Sequence, residues 1–506
     1  MLGLADAIRA HALPMLWLTV IRWDKSFCGD ELAVLNTAPG MGQITAMMSA
    51  SPATPASCGQ DRIEPLLAEL CAQGPGQIEF GTEMISLDGD AEGVDVTLRT
   101  GDVQRVVRAD WVVGCDGASS PTRKLLGIPM EGAEALAHIV GIYFHADLAE
   151  RAAERPAVLH WTVDVEAPGV FIAIDGRDRW VFHATWDREH VPLETFDDAY
   201  CTKLLQRAIG TELAEELKIE IKSVRPWAMT GQVAERYREG RVLLAGDAAH
   251  SFPPTGGFGM NTGIQDTHNL AWKLAAILSG HAGEALIDSY ESERLPVGRS
   301  NRDFSVKNAI GMMPVMGPGA LQLARRLASG EATQAQISEE IQTIIEGEAA
   351  HFRAQGRDLG FCYETGAMIP DGTALPAVED PDIEYVPCAR PGARAPNHGF
   401  VRDGEILSSL DLFDGRWTLL TAQTRAEDWL KAAASAVIDL QFVAVGRDVL
   451  DPSGEWPARY GVADGAVLIR PDGHVAWRTA EFPQHAEIEL SRALERILRF
   501  EKKGRN

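Results

Sequence analysis

Two stretches of the chain share one pattern, in which a short, continuous apolar run leads through a glycine-containing turn into a helix. The later stretch passes from apolar residues 242–245 to a helical repeat that contains Leu270, Trp272 and Leu274. The earlier one passes from residues 111–113 to Pro121, which suits the first turn of a helix. Because short apolar runs bounded by turn residues are typical of buried strands, each stretch predicts a strand, a turn and a helix.

The middle of the chain alternates apolar and polar residues instead. The alternating segments are 139–144, 157–165, 170–174 and 180–186. A period of two predicts antiparallel strands, and Asp175 and Gly176 supply a turn between two of them. Residues 195–224 are predicted to add helices. This segment lies between the two stretches that share the strand, turn and helix pattern, and a sheet inserted between them suits a platform for a substrate.

Four side chains of the platform are candidates for substrate contact: His160, Trp161, His183 and Trp186. The pattern does not say which strand face looks inward. Lone histidines and tryptophans in sheets pack more often than they react, so packing is the more common role for these four.

Further elements are predicted outside these regions. Strands are predicted within 16–35 and at 78–80, 83–87, 93–98 and 103–107. Residues 286–296 read as a helix ended by proline. Glu291 and Arg294 have the spacing of an ion pair on its surface, which predicts a structural role.

The last part of the chain follows a linker at 367–396 that is rich in proline, aspartate and glycine. It predicts a strand at 417–422, a helix at 426–435, a strand at 440–445, a hairpin at 467–477 and a closing helix at 487–500. The hairpin turns at a Pro-Asp-Gly sequence. This order of elements is that of a small α/β domain.

Composition narrows the classes of function. The chain has 506 residues and a formal net charge of -25, which disfavours nucleic acid and anionic membranes as partners. It contains no run of about 18 apolar residues that would predict a membrane span. Its seven cysteines include no Cys-x-x-Cys pair, so we expect neither a disulfide framework nor a metal site. These features suit a cytoplasmic protein of two to four domains.

The candidate chemistry lies in residues 240–280. Gly246 and Asp247 form an acidic turn after the strand, and the Asp247 carboxylate can accept hydrogen bonds from ligand hydroxyls. The glycine-rich loop leads into the helix at Gly256–Asn261, where free backbone N–H groups can bind carbonyl or anionic oxygens. The alternative is that the strand, loop and helix have a purely structural role and that the glycines only make room for packing.

This stretch resembles the flavin-ribityl motif of the single-component, FAD-dependent aromatic hydroxylases, the class that includes para-hydroxybenzoate hydroxylase. The resemblance rests on residues 246–250, 253–254, 256–261, 265–266 and 269–274. It implies that FAD is the cofactor and that NAD(P)H is the co-substrate, without a separate nicotinamide domain. The cofactor-binding residues that it implies here are Gly246, Asp247, Pro253, Gly256, Gly257, Phe258, Gly259, Met260 and Asn261.

Two further residues are carried over from the resemblance. Asp116, in the Asp-Gly turn after residues 111–113, matches a family signature near the FAD pyrophosphate and the incoming nicotinamide. Its alternative role is a plain turn and helix cap. Gln60 matches a glutamine that reaches the ribityl chain, although its spacing fits an exposed first helical turn equally well.

The resemblance implies an α/β (α+β) fold class. It consists of a Rossmann-like FAD-binding domain, an inserted antiparallel substrate sheet and a thioredoxin-like C-terminal domain. The implied divisions are 1–131 and 227–310 for FAD binding, 132–226 for the substrate sheet, 311–390 for helices and linker, and 391–506 for the thioredoxin-like domain. Gln423, Thr424 and Arg425 stand where a thioredoxin carries its cysteines, so packing or a homodimer contact is the expected role of that domain.

The start of the chain departs from the family pattern. In the family, a segment similar to residues 2–8 follows a βαβ unit. That unit carries a Gly-x-Gly-x-x-Gly turn and an acidic residue, and neither occurs here. Roughly 50 residues of that unit are expected to be missing. Either the natural start lies further upstream, which we favour, or the chain is short and binds FAD poorly or not at all.

The function implied is that of an aromatic monooxygenase. NAD(P)H would reduce the flavin, dioxygen would form a flavin hydroperoxide, and its distal oxygen would pass to an electron-rich phenolic or polyketide-like ring. The alternatives are a non-catalytic or flavin-deficient paralogue on the same scaffold, and a flavin monooxygenase that performs Baeyer–Villiger insertion or epoxidation. The sequence does not name a catalytic base.

Overall fold

The computed structural model describes residues 3–38, 40–210, 217–348 and 352–499. Within them, helices combine with several separate sheets, which confirms the mixed α/β class. The first residue of the segment at 2–8 and the last residue of the helix predicted at 487–500 lie outside the described residues. No helix among the described residues is long and apolar enough to span a membrane.

The elements have the following bounds. The strands are β1 (Val20–Asp24), β2 (Glu31–Asn36), β3 (Thr82–Gly89), β4 (Val94–Thr100), β5 (Val103–Ala109), β6 (Val112–Gly114), β7 (Met130–His145), β8 (Leu159–Thr162), β9 (Gly169–Ala173), β10 (Arg179–Thr185), β11 (Glu220–Ala234), β12 (Arg238–Glu239), β13 (Val242–Leu244), β14 (His250–Ser251), β15 (Gly399–Arg402), β16 (Glu405–Ser408), β17 (Thr418–Ala422), β18 (Gln441–Val445), β19 (Ala466–Ile469) and β20 (Val475–Thr479). The helices are α1 (Ala5–Arg9), α2 (Met15–Leu18), α3 (Met41–Ala50), α4 (Gln60–Ala72), α5 (Pro121–Leu125), α6 (Ala149–Glu154), α7 (Asp198–Ile209), α8 (Phe258–Leu278), α9 (Asp288–Met312), α10 (Gly317–Ala328), α11 (Gln334–Gly347), α12 (Gln355–Gly360), α13 (Ala426–Ala434), α14 (Trp456–Tyr460) and α15 (Ala486–Ile497).

The predicted platform is an eight-stranded sheet with the strand order β14-β11-β7-β10-β9-β8-β1-β2. All neighbours are antiparallel except β1 and β8, which are parallel. The sheet takes in β1, β2, β14 and the whole of β11, so it uses more of the chain than 132–226. The division of the chain into domains otherwise stays a prediction.

Three local predictions are wrong. The helix predicted to end at Pro296 continues to Met312 as α9, with Pro296 inside it. Residues 220–224 begin the long strand β11 instead of continuing a helix. Pro226 is tolerated there because the described pairing at this position is to β7 alone, which leaves the other side of the strand an edge. Residues 78–80 form no strand, and the Phe80 side chain stays 84% exposed.

The two faces of the platform differ. The back face carries Phe144, Phe171, Trp180 and Phe182, all fully buried against a core that includes the helix α7. The front face carries the residues that alternate with them. Helices α10 and α11 cover the front of β1 and β2, where Trp23 is buried. The front of β11, β7, β10 and β9 is only half-buried.

A second sheet joins the two stretches that share the strand, turn and helix pattern. Strand β6 pairs with β13 in parallel, and β12 pairs with β13 on its other side. Helices α8 and α9 pack on this sheet, and the Tyr290 hydroxyl donates to the Leu244 carbonyl oxygen at 2.7 Å. Strands β3, β4 and β5 form a separate antiparallel sheet. The predicted nucleotide-binding region is therefore built around β6 and β13.

The C-terminal part forms a four-stranded sheet with the order β18-β17-β19-β20. Strand β17 is parallel to β18 and antiparallel to β19. Helices α13 and α15 cover one face through Trp429 and Leu490, and α14 covers the other through Trp456 and Tyr460. This layered arrangement agrees with the thioredoxin-like order expected from the sequence.

Candidate flavin site

The two acidic turns meet at one edge of the sheet. Leu244 pairs with Gly114, and the Ala245 N–H donates to the Gly114 carbonyl oxygen at 3.0 Å. Because β6 and β13 are parallel, Asp116 and Asp247 both follow the carboxyl ends of their strands. Ligands of open α/β sheets bind at this edge.

The turn after β13 depends on close backbone approach. Gly246 has a φ of +61°, a left-handed conformation that favours glycine. Helix α8 passes so close that a Cβ atom on Gly263 would lie 3.0 Å from the Gly246 Cα atom. These two glycines allow the helix to pack directly on the turn.

The two aspartates of these turns differ in how their carboxylates are used. Asp116 accepts hydrogen bonds from the Ser120 hydroxyl and, at 2.8 Å, from the Thr122 N–H. Burial would raise the pKa of Asp116, but these hydrogen bonds lower it below its ordinary value. Asp247 is exposed, and its carboxylate has no hydrogen-bond partner among the described residues. Asp116 thus stabilises its own helix, whereas Asp247 is free to bind a ligand.

Arg123 connects the two turns. Its side chain is 7% exposed, and its guanidinium donates to the carbonyl oxygens of Ala248 at 3.0 Å and Ala118 at 3.2 Å. The arginine therefore ties α5 to the segment after Asp247. Arg123 follows the Asp-Gly turn, and sequence reasoning assigned no role to it.

Asp266, a residue of α8, anchors the Gly246 turn. Its carboxylate accepts from the Gly246 N–H at 3.2 Å, from His250 Nε2 at 2.8 Å and from Arg294 Nε at 2.7 Å. Burial would raise the pKa of Asp266, but Arg294 and His250 lower it, so the carboxylate stays ionised. The prediction of Arg294 as a surface partner of Glu291 is wrong, because Arg294 is fully buried and binds Asp266.

The glycine-rich loop presents the start of α8. Gly257 is the N-cap residue, with a φ of +72° and no side chain that caps the helix. The first-turn N–H groups, which begin at Phe258, are therefore available to a ligand. The loop residues Pro253 and Phe258 are buried, and Phe258 packs edge-on against Phe304 at 5.6 Å between ring centroids. This packing fixes the loop on its inner side.

The remaining predicted residues of the loop are more exposed. Gly256 and Met260 are exposed and Gly259 is half-buried. The Asn261 side chain donates to the Gly257 carbonyl oxygen at 2.8 Å, which braces the first turn. Met260 is 52% exposed, so it offers apolar surface beside the open N–H groups.

Gln60 lies apart from these turns. It begins α4, and its side-chain amide donates to Glu64 at 2.5 Å. The next residue, Asp61, accepts from Arg179 on the platform at 2.6 Å. No contact among the described residues joins Gln60 to the Gly246 turn, so its ribityl role stays a prediction.

The front face of the platform lies between α4 and the loop before α8. Arg179 connects it to α4, and its Nε donates to the Tyr143 hydroxyl at 3.1 Å. At the other side, β11 pairs with β14, which leads directly into the Pro253 loop. Half-buried apolar and aromatic side chains form the surface between them: Ile139, Val181, Ile172 and Trp227. This surface is suited to a flat ring.

A buried ionic cluster joins the flavin helices to the C-terminal domain. We define it as Lys273 on α8, Glu293 on α9, and Arg470 and Asp472 between β19 and β20. Glu293 binds Lys273 at 2.8 Å and Arg470 through both of its oxygens at 2.9 Å. The side chains are at most 1% exposed. Asn269 donates to Glu293 at 2.6 Å and to the Tyr363 hydroxyl at 3.3 Å, and Arg294 donates to the same hydroxyl at 3.3 Å. The cluster therefore adjoins the network that holds the Gly246 turn.

The charges of this cluster follow from its contacts. Burial would raise the pKa of Glu293, but Arg470 and Lys273 outweigh it and lower the pKa to about 2. Burial lowers the pKa of Lys273 to about 8, although Glu293 opposes the shift. The carboxylate is therefore the firmly charged member of this pair, because two cations face it.

The geometry fits the flavin end of FAD. Asp247 has a free carboxylate and the start of α8 has uncapped N–H groups, and their binding to the ribityl hydroxyls and to the flavin N1 and C2 carbonyl region stays a prediction. A Cβ atom on Gly256 would lie 2.5 Å from the Phe258 ring, whereas one on Gly257 would meet nothing within 4 Å, so Gly257 is the open position of the loop. The expectation of a further unit upstream for the pyrophosphate stays a prediction.

Comparisons with known proteins identify the family. The sequence profile described as FAD binding domain matches residues 1–305, and the profile described as aromatic-ring hydroxylase, C-terminal, matches residues 389–499. A putative polyketide hydroxylase of Streptomyces halstedii is 36% identical over 95% of this chain and 84% of its own length. The 2,4-dichlorophenol 6-monooxygenase of Delftia acidovorans is 30% identical over 98% of this chain and 89% of its own.

A solved structure shows the same fold. The flavin-dependent monooxygenase PieE, in complex with FAD and substrate, superposes with a TM-score of 0.88 at 32% identity. The match covers 98% of this chain and 89% of that one. Both profiles, both relatives and the structure agree with the cofactor and the reaction class expected from the sequence. The chain belongs to the FAD-dependent aromatic-ring hydroxylases.

Proposed function

We propose that this enzyme uses dioxygen and NAD(P)H to hydroxylate a phenolic ring that lies on the front face of the platform. The proposal rests on two features that occur together. The Asp247 carboxylate has no hydrogen-bond partner among the described residues, and the helix start at Gly257–Asn261 is uncapped. Both groups are polar, accessible and unsatisfied, and both lie beside the platform. Groups left unsatisfied in this way are available to a cofactor.

The residues of the chain would divide the work. When bound, FAD supplies the redox chemistry that activates dioxygen. Asp247 would hold the ribityl chain, and the N–H groups from Phe258 onward would stabilise negative charge on the reduced ring system. Pro253 stiffens the loop on the ring face and brings no donor N–H there. The Asp266 network would keep Asp247 in register with the helix start.

The width of the platform favours a substrate of more than one fused ring. Four strands contribute to the half-buried front face, and their three spacings span about 14 Å at roughly 4.8 Å each. The Streptomyces halstedii relative is named for a polyketide, whereas the Delftia acidovorans relative is named for a single-ring phenol. We therefore place a polycyclic, polyketide-like phenol first and a simple phenol second.

Oxygen incorporation tests the proposal. The FAD-loaded protein is given NAD(P)H, isotopically labelled dioxygen and either 1,8-dihydroxyanthraquinone or 2,4-dichlorophenol, and the products are analysed by mass spectrometry. The expected product carries one labelled oxygen atom as a new ring hydroxyl. The higher yield is expected with the anthraquinone.

Other outcomes would identify the alternatives. A lactone or an epoxide with one labelled oxygen would indicate Baeyer–Villiger insertion or epoxidation. Protein that stays colourless in excess FAD would indicate a flavin-deficient paralogue. The matched control is Glu427→Ala, an exposed change in the C-terminal domain that should leave the product yield unchanged.

A further inference from the structure

The imidazole of His183 stands in the middle of the platform's front face. It lies on β10 opposite Gly141 of β7, and its ring contacts Trp227 of β11 at 5.2 Å between centroids. A Cβ atom on Gly141 would lie only 3.4 Å from the imidazole. The absence of a side chain on Gly141 therefore makes room for this ring.

The residues that flank His183 on the same face of β10 show where His183 lies. Two residues before it on the same face is Val181, and two before that is Arg179, which binds Asp61 next to Gln60. Two residues after it is Thr185, whose hydroxyl lies 3.7 Å from where a Cβ atom on Gly317 would be. His183 thus lies between Arg179, which binds the start of α4, and Thr185, which lies next to the start of α10.

The nitrogens of His183 have no hydrogen-bond partner among the described residues. By contrast, His160, His250 and His398 are buried and each contacts a carboxylate. Polar groups within a largely apolar surface are normally paired, so an unpaired imidazole that a ligand can reach indicates an external partner.

The electrostatic surroundings keep this imidazole neutral. Burial lowers the pKa of His183 to about 4, and no charged neighbour contributes to the shift. On β7, β10 and β11, the titratable groups of the front face are Tyr143, His145, Arg179, Glu220 and Arg225. Arg179 is bonded to Asp61 and Tyr143, and Arg225 is exposed. At neutral pH one ring nitrogen therefore carries a free lone pair.

We propose that His183 is the catalytic base that accepts the proton of the substrate's ring hydroxyl. The inference rests on the proposed function and adds the base that the sequence did not name. As a ring carbon ortho or para to the hydroxyl forms its bond to oxygen, electron density leaves the hydroxyl oxygen and its O–H bond breaks. The proton passes to the free nitrogen of His183, which becomes an imidazolium.

The atoms and electrons of this step balance. One atom of dioxygen joins the ring, and the displaced ring hydrogen moves as a proton to restore the aromatic hydroxyl. NAD(P)H supplies its two electrons as a hydride and the solvent supplies one proton, and these two hydrogens go to the new ring hydroxyl and to water. The imidazolium returns its proton to the second oxygen atom, which leaves as that water. A weak base suffices because the hydroxyl becomes strongly acidic as the carbon–oxygen bond forms.

Binding of a phenol and its methyl ether tests the hydrogen bond without turnover. The affinity of the FAD-loaded protein for 2,4-dichlorophenol and 2,4-dichloroanisole is measured by quenching of tryptophan fluorescence. The protein should prefer the phenol by about fivefold, which is the effect of one hydrogen bond. His183→Phe should remove the preference, and His138→Phe, on the opposite face against Trp186, should keep it.

Turnover tests the proton transfer. In His183→Phe and in the smaller change His183→Asn, NAD(P)H oxidation should continue while product formation falls by about a hundredfold. Raising the pH should restore product in these variants, because the phenol then enters ionised. A structural defect would not be repaired in this way.

The outcomes separate the two proposals. If both variants keep the phenol preference and the product yield of the unaltered protein, His183 is not the base. If the unaltered protein shows no phenol preference, the inference is also overturned. If the unaltered protein binds FAD and prefers the phenol but forms no hydroxylated product, the proposed function fails while the hydrogen bond to His183 stands.

Discussion

Two polar regions of this molecule differ in whether their groups are satisfied. In the buried ionic cluster, Glu293 is bound by Lys273 and by Arg470, and Asp472 is bound by Arg470. On the flavin side, the Asp247 carboxylate and the His183 imidazole have no partner among the described residues. The first region is closed to solvent, whereas the second is open or half-open.

The difference shows which polar groups hold the fold together and which are available for chemistry. A satisfied buried network fixes how two parts of the chain sit together, and breaking it leaves a buried charge unpaired. An accessible group without a partner does little for the fold and is available to a ligand. Asp116 and Asp247 show the same contrast on a smaller scale, because only Asp116 uses its carboxylate to cap a helix.

The largest expected effect on stability comes from a mutation in the buried ionic cluster. Glu293→Ala leaves Lys273 and Arg470 buried without their shared acceptor, so the free energy of unfolding should fall by about 3–5 kcal/mol. Urea unfolding of the FAD-loaded protein measures it. The control Glu427→Ala breaks an exposed pair with Arg447 and should change stability by less than about 0.5 kcal/mol. Equal effects of the two changes would contradict the assignment of the cluster to architecture.

The pH dependence of stability should report the ionisation of the Glu293 carboxylate. The folded pKa of Glu293 is about 2, below its ordinary value of 4.5. Its stabilising contribution is therefore complete above pH 4.5 and is lost as the pH falls towards 2. The urea midpoint of the unaltered protein should fall through this window more steeply than that of Glu293→Gln, and parallel curves would exclude the carboxylate as the cause.

A change at the boundary of the two regions should affect both properties. Asp266→Asn removes a charged acceptor from Arg294, His250 and the Gly246 N–H. Stability should fall by about 1–3 kcal/mol, and the affinity for FAD should fall by about tenfold, because the turn loses its anchor. Asp303→Asn, an exposed change on the same α9 helix, should alter neither. A loss of stability with unchanged FAD affinity would separate Asp266 from the turn.

Much of the fold could be predicted because its signals are local. The apolar run before Gly246, the alternation in β7 and β10 and the turn at Asp175 each lie within a few residues. The strand β11 was missed at its start, where Pro226 argues against a central strand. The joining of β1 to β8 was also missed, because periodicity does not say which strands pair.

The site could be predicted only in part for the same reason. Asp247 and the loop before α8 follow from a contiguous motif, but the partners of Asp266 lie on other segments of the chain. Arg294 shows the limit, since helical spacing suggested a surface pair with Glu291 and packing buried it against Asp266. His183 was a candidate by residue type alone, and the register of β10 on β7 was needed to show which face it occupies.

The smallest effect on stability should come from the open region, and it tests the central claim most directly. FAD is titrated into the unaltered protein and into Asp247→Ala, and binding is followed by quenching of flavin fluorescence. Because the carboxylate is exposed and unpartnered, the change should weaken FAD binding by about tenfold and alter the free energy of unfolding by less than about 0.5 kcal/mol. Equal FAD affinities for the two proteins would contradict the account.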